Sequence, residues 1–100
     1  MTMHNPPHPG AFIRATYLDP FQLNASYLAK HLKVSVSSIH RVLHGQSAVS
    51  ADMATRLSVV LGRSPESWLA MQAQYDLWQI KQPRLKHIDF SVFENSEKAA

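Results

Sequence analysis

Cysteine is absent from the 100 residues, so neither a disulfide framework nor a thiolate zinc site can form. Glycine occurs three times, each near an expected helix end, which excludes a glycine-rich phosphate loop. Asp and Glu together number seven, and no His-Glu-x-x-His run sets ligands on one helix face. The histidine pairs His4/His8 and His40/His44 are each spaced one helical turn apart but have no third ligand nearby in sequence. Ser35, Ser37 and Ser38 lie near His40, yet neither a Gly-x-Ser-x-Gly turn nor an orienting carboxylate accompanies them. An enzyme is therefore not expected, and the sequence calls for no cofactor. Apolar runs stay well short of the ~20 residues that span a bilayer. The opening MTMHNPPHPG lacks the charged start and apolar core of a signal peptide. The expectation is a soluble protein of a reducing cytoplasm.

What the chain does have is enough apolar content, 45%, for one modest core, and a helical rhythm from end to end. The densest information lies in Leu23 to Gly45. Asn24 precedes Tyr27, Leu28 and Leu32, and Ser35 precedes Ile39, Val42 and Leu43, so each apolar run has a capping side chain ahead of it. Lys33 and Val34 leave room only for a tight turn between the two helices, and Ala29 is small where they would cross. This is the pattern of a helix-turn-helix. With Val34, Ile39, Val42 and Leu43 inward, the second helix shows Val36, Ser37, Ser38, His40, Arg41 and His44 outward. Small polar and basic side chains of this kind can approach base edges and phosphates, where acids would be repelled.

Charge supports the same reading. The formal net charge is only +3, but between Asn24 and Arg63 five cations (Lys30, Lys33, Arg41, Arg56, Arg63) face one acid, Asp52. A polyanionic partner suits that local excess.

Three more helices frame the motif. The first is predicted from Pro9 to about Leu18, with Phe12, Ile13, Thr16 and Tyr17 inward and Asp19-Pro20 as its stop. The fourth starts at Ser50 and carries Met53, Leu57, Val60 and Leu61 inward up to Gly62. A fifth opens on Ser64-Pro65-Glu66 and runs toward Pro83 with Trp68, Met71, Tyr75 and Trp78 as its stripe. The expected architecture is all-α: a five-helix domain over residues 1–83 followed by a short tail over 84–100. In that tail Ile88, Phe90 and Val92 have strand spacing, which would make it extended if a partner strand were supplied.

Leu23, Leu28, Ala29, Val34-Ser35, Ile39, Leu43 and Gly45 together resemble the Cro and phage-repressor superfamily, the xenobiotic-response-element type of helix-turn-helix. The flanks narrow the resemblance. Pro7-His8-Pro9-Gly10, Val49 to Ala54 with Arg56-Leu57, Ser64-Pro65-Glu66, Trp68-Leu69, Gln72 and Tyr75 to Trp78 are similar to the HigA family of type II antitoxins. Ala11 departs from it, standing where an acidic residue is usual. The resemblance implies a lambda-repressor-like fold, promoter DNA as one partner, a RelE-like, mRNA-cleaving toxin as another, and autorepression of a toxin–antitoxin operon. A stand-alone regulator without a toxin is the alternative. Carried onto this chain, base reading falls on Val36, Ser37 and Arg41 with Ser38, His40 and His44 alongside. Phosphate contacts fall on Asn24, Ser35, Gln46 and Ser47. Members of the superfamily act as homodimers, and the apolar groups left over for a two-fold interface are Tyr75, Trp78, Ile88 and Phe90.

Overall fold

Four side-chain caps divide the chain where the sequence suggests. The Oδ1 of Asn24 accepts from the Tyr27 N–H at 2.9 Å, and the hydroxyls of Ser35, Ser50 and Ser64 accept from the N–H groups of Ser38, Met53 and Ser67. Each satisfies a donor that the first helical turn leaves open, worth about 1 kcal/mol. The computed structural model describes residues 5–80. In it, α2 is Ala25–Leu32, α3 Val36–Leu43, α4 Ala51–Leu61 and α5 Pro65–Gln79. The domain boundary at residue 83 and the strand-spaced tail lie outside the described residues.

The first helix departs from expectation. Only α1, Pro9–Ile13, is α-helical; a π-turn over Arg14–Leu18 and a 3₁₀ turn over Asp19–Phe21 follow. The reason can be read in the apolar spacing. Phe12 and Tyr17, and likewise Ile13 and Leu18, are five residues apart, matching the i to i−5 bond of a π-turn. That bond is made by the Asp19 N–H to the Arg14 carbonyl. Ile13 and Leu18 are thereby both buried, and the Phe12 and Tyr17 rings meet edge-on at 6.1 Å. Thr16, placed inward by an α-helical period, is instead exposed. Asp19-Pro20 does not stop the chain, because the proline is accommodated in the first turn of the 3₁₀ segment, and left-handed Gln22 (φ 56°) ends it.

Helix α2 packs against α3 and α4, and α1 against α3 and α5. Ala29 is buried at the α2 crossing, and Ile13, Ile39, Leu43, Leu57 and Trp68 are almost fully enclosed. Burying each such side chain contributes about 1.5–3 kcal/mol. Trp68 closes the core: its indole N–H donates to the Gly62 carbonyl at 2.9 Å, and Arg63 lies over its ring and that of Phe12. Two expected core residues lie on the flank. Tyr27 is about half exposed, its ring 4.5 Å from that of His31 one turn along α2 and tilted to it by 51°. Val60 is also exposed, because the buried residues of α4 centre on Met53, Ala54 and Leu57. No helix among the described residues is long and apolar enough to cross a membrane.

Candidate nucleic-acid interface

The second helix of the motif, α3, is held from beneath and left open above. Ile39, Val42 and Leu43 are buried, whereas Val36, Ser37, His40, Arg41 and His44 are exposed and Ser38 is half-buried. The tight turn before it is set by Lys33 in the left-handed region (φ 59°) and by the Val34 N–H bonded back to the Ala29 carbonyl. Arg56 reaches across from α4 to the Leu32 and Lys33 carbonyls at 2.9 and 3.2 Å, and it also pairs with Asp52 at 2.8 Å. Arg56 is therefore a clamp on the end of α2; the expectation from charge alone, that it belongs to the polyanion-facing set, does not account for these bonds.

Two contacts fix α3 to α1 and to the π-turn that follows it. The Nε of Arg14 donates to the Leu43 carbonyl at 2.9 Å. Gly10 lies so close to α3 that a methyl group there would sit 2.0 Å from the Val42 carbonyl oxygen. Beyond α3, Gly45 turns the chain with φ 72°, and the Gln46 and Ser47 N–H groups both bond to the Arg41 carbonyl. Those two backbone donors are thus committed within the protein. Any phosphate contact from Gln46 or Ser47 falls to their side chains.

The arginines divide sharply. Arg14, Arg56 and Arg63 are each hydrogen-bonded within the fold. Among the described residues Arg41 alone of the arginines has no such partner, and it projects from the exposed face of α3. His40 and His44 stack on the same face, ring centroids 4.1 Å apart. No group of three or more metal-ligating side chains occurs among the described residues. Asn24 and Ser35 use their side-chain oxygens as helix caps, and Ser35 Oγ also meets Ser38 Oγ at 2.8 Å. A carboxamide that caps through oxygen still has its NH₂ to offer.

The sequence names the groups that support this face but not that role. His8 and Gln72 are the buried polar side chains of the described residues. His8 caps α1 by accepting the Gly10 N–H on Nδ1 at 2.9 Å, and its ring meets Tyr75 edge-on at 4.9 Å. Burial pushes the His8 pKa below the ordinary 6.5, opposed in part by the Asp76 carboxylate and a hydrogen bond with the Ser47 backbone. Gln72 Oε1 accepts the Val49 N–H at 2.9 Å while its Nε2 donates to Asp76 Oδ1 at 2.9 Å. A polar residue inside the apolar stripe of α5, and a histidine just ahead of a helix-starting proline, are the signals that could have marked them.

Of the four residues expected at a two-fold interface, two are described. Tyr75 is half-buried against His8, Trp78 is 38% exposed, and Ile88 and Phe90 lie outside the described residues. Leu69 and Leu77 are exposed on α5, and Ile80, extended just past its end, is exposed as well.

This combination, a tight helical pair with an open second helix braced by flanking helices, defines a helix-turn-helix protein. The helix-turn-helix family model matches residues 16–68. The chain is 43% identical over 79 residues to virulence-associated protein A' of Dichelobacter nodosus, covering 78% of this chain and 68% of that protein. Its structure is similar to an addiction module antidote protein of a HigA family from Coxiella burnetii (33% identity, TM-score 0.71, 75% of this chain and 82% of that one). It is also similar to Pseudomonas aeruginosa antitoxin HigA, solved with the higBA promoter (32% identity, TM-score 0.75, 84% and 96%). The chain belongs to the helix-turn-helix family and, within it, to the HigA family.

Proposed function

We propose that this protein is a sequence-specific DNA-binding autorepressor that serves as the antitoxin of a HigBA-like operon. The observation that carries this reading is Arg41, a guanidinium with no hydrogen-bonding partner among the described residues on the open face of a helix whose other face is locked into the core. A planar cation so placed suits the paired acceptors of guanine in the major groove. Val36 would offer apolar contact, Ser37, Ser38, His40 and His44 hydrogen bonds, and Asn24, Ser35, Gln46 and Ser47 side-chain contacts to phosphate. The similar Pseudomonas structure contains promoter DNA, which supports the assignment.

A homodimer is part of the proposal, since one such helix reads only a few base pairs. Leu69 and Leu77 on α5, with Ile80 just past its end, are the described apolar groups we assign to a contact with a second copy. The other partner is a RelE-like toxin that cleaves mRNA, supported by the likeness to an antidote protein. The test is to express the adjacent reading frame in a host, alone and with this protein. Growth arrest relieved by co-expression, with both chains eluting together, is the expected result. Arrest that this protein does not relieve contradicts the antitoxin role.

A further inference from the structure

The loop joining α3 to α4 follows directly on the helix assigned to base reading, and it is held by both buried polar side chains. His8 touches it at the Ser47 backbone and packs alongside Gly45; Gln72 takes the Val49 N–H. Asp76 links the two, bonded to Gln72 and acting on His8 through its charge. Nδ1 of His8 accepts from Gly10, so the hydrogen of the neutral ring resides on Nε2. An imidazolium has N–H groups at both positions. Protonation would therefore set an N–H at Nδ1 against the Gly10 N–H, removing the α1 cap and the acceptor together.

We propose that His8 is a proton-sensitive positioning residue: neutral, it caps α1 and so holds it against the base-reading helix, and protonated, it loses that cap, loosens α1 on the helix and weakens DNA binding. The DNA consequence rests on the function proposed above. The groups facing the ring come from three parts of the fold. From α5 come the Tyr75 ring and the Asp76 carboxylate, from the loop the Ser47 backbone and Gly45, and from α1 the Gly10 N–H. Asp76 and the Ser47 backbone favour the charged ring and burial disfavours it, with burial the largest of the three, so the loop contact survives protonation while the Gly10 cap does not. The lowered pKa has a definite sign. The neutral ring stabilises the fold fully above the ordinary 6.5, and that contribution is lost as pH falls from there through the lower folded value.

The test compares the intact protein with His8→Asn, which keeps an N-capping acceptor but cannot be protonated. Promoter affinity is measured from about pH 7.5 to about pH 5.5, across the range where histidine changes charge. Ionisable groups other than His8 are common to the two proteins, so the readout is the difference between the two profiles. Relative to His8→Asn, the parent protein should lose affinity roughly three- to tenfold on acidification, as expected for one hydrogen bond. Parallel profiles overturn the proposal. A second readout needs no DNA and no variant. In the parent protein, NMR titration of the His8 ring should track faster exchange of the Gly10 amide, after correction for the intrinsic pH dependence of exchange. Amide protection unchanged through the His8 titration also overturns it. If amide protection responds but no DNA binds at any pH, the positioning role stands and the function proposed above fails.

Discussion

Gly10 and Val42 touch backbone to backbone: a methyl group on Gly10 would fall 2.0 Å from the Val42 carbonyl oxygen and 2.8 Å from the Leu43 Cα. Neither partner is the tip of a flexible side chain, so the conflict cannot be relieved by a rotamer change. Gly10→Ala should force α1 away from α3 and cost about 1–3 kcal/mol or more, the range for overpacking a close contact. Urea denaturation followed by circular dichroism measures it. A loss below about 0.5 kcal/mol, typical of a neutral surface change, would mean that the two helices separate easily.

Gln72 provides a second test of how the loop after α3 is held. Gln72→Leu keeps the bulk but leaves the Val49 N–H without its acceptor, a loss of about 1–3 kcal/mol for a buried donor. Hydrogen exchange should show the Val49 amide exchanging faster while the α2 amides keep their protection.

Arg41 and Arg56 should behave differently although both are cations near the motif. Arg41→Ala is expected to cost about 1–3 kcal/mol on the cognate promoter and much less on unrelated DNA. Arg56→Ala removes bonds to the Leu32 and Lys33 carbonyls and to Asp52. It should lower stability by about 1 kcal/mol and change the slope of affinity against salt very little. Gel-shift titrations and thermal melts of both variants separate the two roles.

The dimer is tested at Leu77, 69% exposed on α5. Leu77→Glu adds a charge on the outer face without disturbing the core, so the fold should persist while self-association weakens by roughly tenfold or more. Sedimentation equilibrium reads the change. A variant as tightly dimeric as its parent moves the interface away from these residues.

Much of this architecture was legible in the chain, for physical reasons that are local. Asn24, Ser35, Ser50 and Ser64 announce helix starts because a cap acts within three residues of itself. The buried Ile39, Val42 and Leu43 follow the α-helical period, so the open face of α3 was legible as well. Thr16 was misplaced because an α-helical period was carried past Arg14, where the i to i−5 bond of a π-turn instead turns Leu18 inward beside Ile13. The roles of His8, Arg14, Arg56 and Gln72 were hidden because each depends on a backbone group brought near by folding. Arg14 and Leu43 are 29 residues apart, Gln72 and Val49 23. Composition counted Arg56 as a free cation; only the tertiary structure shows it holding the end of α2.

The central claim, that the open face of α3 reads a particular DNA sequence, is tested most directly by fluorescence-anisotropy titration of the purified protein. One duplex carries its own promoter, a second of equal length has that sequence shuffled, and both are measured over a series of salt concentrations. The expected result is at least about 10³-fold tighter binding to the promoter, with log affinity falling linearly in log salt by about 0.9 for each phosphate neutralised. Equal affinity for the two duplexes, or an affinity indifferent to salt, would contradict it.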